Sequence, residues 1–528
     1  MTTLAVLYAA SMLVLLVFGL NQLWLAYRYA RADRLRPGPV PEPGDLPGVG
    51  PMGWPVLTVQ LPLYNERYVA ARLIDACVRL EYPAGRLELQ VLDDSTDETR
   101  AVVAERVAHW RQRGVDIVHV CRDDRAGYKA GALANGLGFA RGDLVAVFDA
   151  DFVPPEDFLL QTVPHFADPG IGLVQARWSH LNAGSVLTVA QSALLDAHFV
   201  IEQGVRNETE CFMNFNGTAG VWRRACIDAA GGWQADTLTE DLDLSYRAQL
   251  AGWRFRFVGD LGVPAELPAS VAAWRQQQFR WTKGTAETAR KMLGRLWRTA
   301  PGQRPLPMRV KLEGTLHLTG FVVFPAILLA AVLHAPLLTA HALGAGISDA
   351  YLGVMGFGLF AFAGMTLAHL FAQRALYADW PRRMLLFPWF LTASMGLALS
   401  NTKGAAEALL RRRSPFVRTP KLSTVAPDAA VPGESGLPLA KDYGSPERSL
   451  LSWLEAGLAL YCAAGLVALV VSGEWVAAPF QLMFTVGFGF VCVHDAVQKR
   501  RAFANGRTLQ PSDDPLASSA RQVPPPRA

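Results

Sequence analysis

Leu89-Gln90-Val91-Leu92-Asp93-Asp94-Ser95-Thr96-Asp97 and, further on, Val145-Ala146-Val147-Phe148-Asp149-Ala150-Asp151 share one design. Each is a short apolar run that ends abruptly in carboxylates. Runs of that length read as buried strands. Carboxylates at a strand's carboxyl end face the ligand crevice of an α/β sheet. Outward from these two, Val56–Leu61, Ile117–Val120 and Gly172–Gln175 also read as strands, with helical patterns such as Glu66–Leu80 and Glu98–Arg113 between them. The alternation predicts an α/β sheet of parallel strands.

The flanks differ in kind. Of 528 residues 51% are hydrophobic and only 18% charged, and the apolar excess sits in the first 27 residues and in 312–494. Leu4–Tyr27 is long enough to span a bilayer at roughly 20 residues per crossing. Arginines follow it rather than precede it, which predicts an uncleaved anchor with its N-terminus outside. Further spans are expected at 312–334, 351–372, 451–472 and 475–494, five in all. Leu385–Ser400 is short for a crossing and reads as interfacial or re-entrant, continued by the basic segment Asn401–Arg413. The expected units are an anchor (1–30), a Pro/Gly-rich linker (31–55), a cytosolic catalytic domain (56–295), a membrane domain (296–500, with interfacial helices at about 384–413) and a disordered tail (501–528).

The formal net charge is +4. Arg28, Arg31, Arg34 and Arg36, then Arg295, Arg298, Arg304, Arg309 and Lys311, then Lys499, Arg500 and Arg501 lie at membrane boundaries, marking the cytosolic side. That placement argues for a lipid bilayer and against nucleic acid as partner; the expected location is the plasma (inner) membrane. The six cysteines show no metal-binding spacing and read as reduced thiols.

Several clusters carry chemistry. Asp93 and Asp94 suit hydrogen bonds from a nucleobase or ribose, while Asp97 suits a helix cap. Asp149 and Asp151 suit a divalent cation, Mg²⁺ or Mn²⁺, which prefers oxygen ligands and bridges phosphates. Lys129, between glycines near a helix start, suits a diphosphate or is a solvated loop lysine. Phe215–Gly220 permits close backbone approach to a ligand, or is a turn. Thr239 can cap a helix, with Glu240 and Asp241 favoured in its first turn, or Asp241 can act as a general base with Glu240 contributing. Gln277, Arg280 and Trp281 offer a phosphate-binding guanidinium and a ring that stacks on a sugar. The other reading is an aromatic helix against the core or bilayer. In the second apolar span, Glu313 and His317 could line a polar path or snorkel to the interface.

Taken together, Asp93-Asp94, Asp149-Ala150-Asp151, Thr239-Glu240-Asp241 and Gln277-x-x-Arg280-Trp281 resemble the ordered motifs of family 2 processive glycosyltransferases. Leu61–Glu66, Gln90–Asp97, Gly127–Leu133, Val174–Trp178 and Phe215–Trp222 bring the resemblance to the cellulose-synthase-like A group, the mannan and glucomannan synthases. It implies a glycosyltransferase-A-type (Rossmann-like) catalytic domain and an α-helical transmembrane domain. It implies an inverting hexosyltransferase that uses a nucleotide-diphosphate hexose, UDP-glucose or GDP-mannose, on a polysaccharide acceptor. A non-processive enzyme with a glycolipid acceptor and an inert assembly subunit are the other readings. By the resemblance Asn65, Glu66 and Asp94 hold the nucleotide, and Lys129, Asp149 and Asp151 its metal-bound diphosphate. Asp241 is the base, Arg280 touches phosphates, and Trp281 stacks on the acceptor. Phe416–Lys421 resembles the gating loop of bacterial cellulose synthases, with Arg418 in place of Val. Phe279 and Thr282-Lys283 depart from the plant pattern, which has His and Ser-Cys there.

Overall fold

The computed structural model describes residues 2–32, 53–299, 305–345, 347–348, 351–353, 356, 358–412, 414 and 450–504. Most of the linker, the loop at 415–421 and the tail from 505 lie outside the described residues.

Residues 57–265 are built on one seven-stranded sheet. Its strands are β1 (Leu57–Leu63), β2 (Leu87–Asp93), β3 (Ile117–Cys121), β4 (Leu144–Val147), β5 (Ile171–His180), β6 (Gly220–Arg223) and β7 (Arg254–Ala265). Their order is β3-β2-β1-β4-β6-β5-β7. The sheet is mixed, which corrects the all-parallel expectation: β6 runs antiparallel to both β4 and β5. Two strands escaped the sequence reading. β6 has only four residues and follows directly on the Gly-rich turn. In β7, Arg254 and Arg256 are exposed while Phe255 and Phe257 are buried, the alternation of a strand with one wet face.

Both faces of the sheet are covered. On β4, Leu144 and Ala146 join one core and Val145 and Val147 the other. The second face of β1 and β2 carries buried polar side chains that satisfy each other. Thr58 donates to Glu88 (2.6 Å) and Gln60 to Gln90 (3.0 Å), which removes most of the cost of burying them. Helices α1 (Thr2–Arg31), α2 (Ala70–Val78), α3 (Thr99–Gln112) and α4 (Tyr128–Phe139) precede β4. Beyond it come α5 (Val186–Ala197), α6 (Glu240–Leu250) and α7 (Val271–Trp297).

The C-terminal region, where the membrane domain is expected, comprises α8 (Met308–Thr319), α9 (Val323–Ala342), α10 (Gly358–Leu376), α11 (Trp380–Leu385), α12 (Phe387–Gly396), α13 (Ala398–Leu409), α14 (Leu450–Ser472) and α15 (Ala478–Ala504). Among the described residues three helical stretches are long and apolar enough to cross a membrane: Thr2–Arg31, Met308–Ala342 and Leu451–Ser472. Ala478–His494 is a shorter apolar stretch, and the expected span at 351–372 is only partly described.

The two regions are packed together. Leu242, Tyr246, Ala286, Ala289 and Met292 share a core with Val310, Leu318, Phe321, Ala405 and Ala408. His317 bonds the Tyr246 hydroxyl (2.9 Å) and Glu313 is buried, so both sit in this seam rather than at a lipid interface. Ion pairs cross it: Arg275–Glu455 (2.8 Å), buried on both sides, and Lys283–Glu407 (3.0 Å), with the lysine buried and the carboxylate half-buried. Breaking such a pair strands a charge, at a cost of about 3–5 kcal/mol. Lys283, one of the departures from the plant pattern, is thus spent on holding α7 to α13.

Candidate active site

The carboxyl ends of the strands open into one pocket. Tyr64, Glu66, Asp94, Arg125, Lys129, Asp149, Asp151, Glu240, Asp241, Gln277, Arg280 and Trp281 all line it. Carboxylates separated by many residues in sequence therefore share a single cavity.

β1 and β2 run in register, Leu63 opposite Asp93, so the loops that follow them meet. The Asn65 amide N–H donates to the Ser95 hydroxyl (2.9 Å), and its Oδ1 accepts from the Thr96 N–H (2.9 Å). Asn65 adopts φ +54° and does not line the pocket; it clamps the loop that presents Tyr64 and Glu66. Asp93 is also displaced from its expected role. It is buried and does not line the pocket. Its oxygens accept from the Ser95 N–H (2.9 Å) and pair with His119 (2.9 Å). Burial would raise the Asp93 carboxyl, but these bonds prevail and hold it below the usual carboxylate range. Asp94 does face the pocket and takes Arg122 in a two-pronged bond, 2.9 and 2.5 Å. Arg125 lies 3.2 Å above the Tyr64 ring, a flat platform suited to a nucleobase.

Asp149 and Asp151 follow β4. Asp149 receives Lys129 Nζ at 2.6 Å, and its own N–H donates to the Thr218 hydroxyl (2.9 Å). Lys129 also donates to the Gly217 carbonyl (2.8 Å) and stands 4.0 Å from Glu240. Burial would lower the Lys129 ammonium; Asp149, Glu240 and Asp241 outweigh it and hold it above the usual range. Lys129 is therefore the internal counter-charge of the acidic cluster rather than a solvated lysine. Gly217 has φ +82°, and a Cβ there would stand 2.9 Å from Asp241 Oδ2. Only glycine lets that turn come so close.

Asp241 sits in the first turn of α6. Thr239 makes no cap bond; its hydroxyl instead meets Thr288 on α7 (3.2 Å). Gly284 lets α7 close on it, since a Cβ there would lie 2.5 Å from the Thr239 methyl. The Asp241 carboxyl is pushed up to about 7, first by burial and then by the Glu240 charge, with Lys129, the Leu242 N–H and Arg280 pulling it back. A carboxylate near neutrality is suited to accept a proton. Gln277, Arg280 and Trp281 stand at i, i+3 and i+4 on α7, so one helix face presents all three.

Asp149 and Asp151 fit a hard divalent cation by donor chemistry, two carboxylates leaving other positions for phosphate oxygens and water. Among the described residues one different trio has three ligand atoms within 4.8 Å of one another: Asp93, His119 and Cys121. Cys121 is the one exposed cysteine of the six. The sequence reading missed other residues lining the pocket: Trp178, His180 and Glu266. Glu266 is paired with Arg72 (2.7 Å). His180 and Ala265 are register partners at the ends of β5 and β7, and only the strand pairing reveals that these ends meet.

Residues 55–284 match the family described as glycosyltransferase like family 2. Glucomannan 4-beta-mannosyltransferase 7 of Arabidopsis thaliana is 45% identical over 256 residues, 47% of this chain and 46% of that protein. Glucomannan 4-beta-mannosyltransferase 1 of Oryza sativa subsp. japonica is 46% identical over 266 residues, 49% of this chain and 51% of that protein. The chain thus spans about half the length of the curated relatives it matches. A mannosyltransferase from Pyrobaculum calidifontis, solved in complex with GDP-Man and Mn2+, superposes with a TM-score of 0.52 at 20% identity. That alignment covers 78% of this chain and 100% of the other. It shows a shared glycosyltransferase-A-type fold.

Proposed function

We propose, from the match of residues 55–284 to the glycosyltransferase like family 2, that this chain is a membrane-embedded inverting hexosyltransferase. It transfers a hexose from a nucleotide-diphosphate sugar to a growing polysaccharide. The observation that carries the proposal is the one pocket holding Asp94, Asp149, Asp151, Asp241, Arg280 and Trp281.

The nucleotide lies against Tyr64, Arg125 and Asp94, with the Asn65–Glu66 loop fixed behind by Ser95 and Thr96. Asp93 holds the base of that loop. Asp149 and Asp151 would hold a divalent cation, which would supply positive charge against the leaving diphosphate. Lys129 lies beside it, able to exchange Asp149 for a phosphate oxygen. Asp241 takes the proton of an acceptor hydroxyl as the oxygen bonds to the anomeric carbon. The bond from that carbon to the diphosphate breaks on the opposite face, which inverts the configuration. Arg280 meets the departing phosphates with paired donors. Trp281 offers its face to the acceptor ring, with Gln277 and Glu240 beside it.

The relatives' names favour a 4-β-linked mannan or glucomannan as product and GDP-mannose ahead of UDP-glucose as donor. The basic flanks of the apolar segments support a catalytic domain on the cytosolic side, and the membrane we propose is the plasma (inner) membrane. A donor panel on the purified full chain tests the reading, measuring released nucleoside diphosphate and product length. A long β-linked polymer from one donor supports it. A single-sugar glycolipid instead replaces the polymerase reading with a non-processive one, and no release from any donor removes the activity.

A further inference from the structure

His180 is the last residue of β5 and lines the pocket on the side away from Asp94. In the sheet order, β4 with Asp149 at its end separates the β1–β2 edge from β5 and β7. The β5–β7 side is where Trp178, Leu267 and Pro268 also line the cavity.

The His180 imidazole is tied down unusually firmly. Its Nε2 meets Asp196 Oδ1 at 3.1 Å, with the two side chains 3% and 0% exposed. Asp196 Oδ2 accepts from Gln373 Nε2 (3.0 Å), and Gln373 Oε1 accepts from Arg383 Nε (3.0 Å). Arg383 in turn lies 3.6 Å above the Tyr377 ring. Asp196, Gln373 and Arg383 are all buried. The chain of bonds starts in the pocket wall, crosses α5, and ends on α10 and α11 of the membrane region. Burying an Asp and an Arg that meet only through the Gln373 amide and the Tyr377 hydroxyl is expensive, and apolar side chains would close the same space more cheaply. The arrangement does fix one thing. A neutral imidazole that donates from Nε2 keeps Nδ1 as an acceptor.

We propose that His180 is an acceptor-binding residue, taking a hydroxyl of the glycan on the side of the pocket nearest the membrane helices, and that Asp196, Gln373 and Arg383 are its positioning residues. This rests on the glycosyltransferase reading above. His180 then fixes the ring next to the one stacked on Trp281, so that the terminal hydroxyl faces Asp241. The membrane helices contribute to acceptor binding through this chain of bonds, beyond anchoring the enzyme.

The test uses the full chain purified in detergent, GDP-mannose as donor and β-1,4-linked mannohexaose as added acceptor. His180→Ala raises the acceptor KM at least tenfold, while the donor KM moves less than twofold. His180→Gln, whose amide oxygen can accept the same hydroxyl, recovers at least part of the loss. Asp196→Asn and Gln373→Ala shift the acceptor KM in the same direction by a smaller factor. Equal losses in donor and acceptor KM, or no recovery in His180→Gln, overturn the proposal in favour of a structural role. An unchanged acceptor KM in active His180→Ala also overturns it. Absence of turnover in the wild type with every donor of the panel would instead defeat the underlying transferase reading, and this inference with it.

Discussion

The pocket wall under β1, β2 and β4 is closed by the sheet region's own loops, whereas the wall under β5 and β7 is braced by helices of the C-terminal region. On the first side Asp94 is held by Arg122, Asn65 by Ser95 and Thr96, and Asp149 by Lys129. On the second, His180 is tied through Asp196 to Gln373 on α10, and α7 is pinned by Glu407 and Glu455. The contrast fits the proposed function, in which the donor arrives from solution as a small molecule and the acceptor is a long chain that leaves along the membrane. A donor wall can be self-contained. An acceptor wall has to stay aligned with whatever conducts the product.

Substitutions between the walls should have the largest effect. Asp241→Asn removes the proposed base and is expected to lower turnover by about 10²–10⁴-fold while donor binding survives; near-normal turnover would take Asp241 out of its role. Chelation by EDTA should stop nucleoside diphosphate release, with Mn²⁺ or Mg²⁺ restoring it. Release that persists in EDTA would leave Asp149 and Asp151 without a cation to hold. Arg280→Ala should cost about 10²–10³-fold in kcat, the range for losing one charge-stabilising donor. Its effect should fall on kcat more than on acceptor KM, which a purely structural α7 residue would not produce.

The pH profile probes the junction of the two walls. The rate should fall as pH drops through about 7, where the Asp241 carboxyl takes up its proton. Lys129 lowers that value, so Lys129→Met should move the acidic limb of the profile to higher pH. An unmoved limb would assign it to another group. Stability gives the smallest effect. An unfolded aspartate titrates near about 3.9, and the folded Asp241 near 7. Between those values the folded chain binds the extra proton, so this residue's contribution to stability is lost as pH rises through about 7. Asp241→Asn should therefore unfold at a higher temperature than wild type at pH 8, with the gap closing toward pH 5. A gap that widens toward pH 5 would contradict the burial argument.

Much of the donor wall was legible beforehand. A strand ending in Asp93-Asp94 or Asp149-Ala150-Asp151 is a local pattern, and the crevice at strand ends is a general property of α/β sheets. The i, i+3, i+4 spacing of Gln277, Arg280 and Trp281 likewise places them on one face of any helix. What misled the reading was the fine assignment within a cluster. Asp93 and Asp94 are adjacent, so the pleat sends one inward to His119 and the other to the pocket. Asn65 looked like a ligand contact and is a loop clamp. Thr239 looked like a cap and is a packing residue against α7.

By itself the chain determined the kind of fold, the apolar segments that flank it and the chemical character of the pocket, because strand periodicity, segment length and carboxylate placement are set by neighbouring residues. The tertiary structure alone decided that β6 runs backwards, that Lys129 neutralises the acidic cluster, and that His180 reaches the membrane helices through Asp196. Those outcomes depend on which distant segments meet. Contact between side chains far apart in sequence follows from packing the whole domain, and no local spacing encodes it.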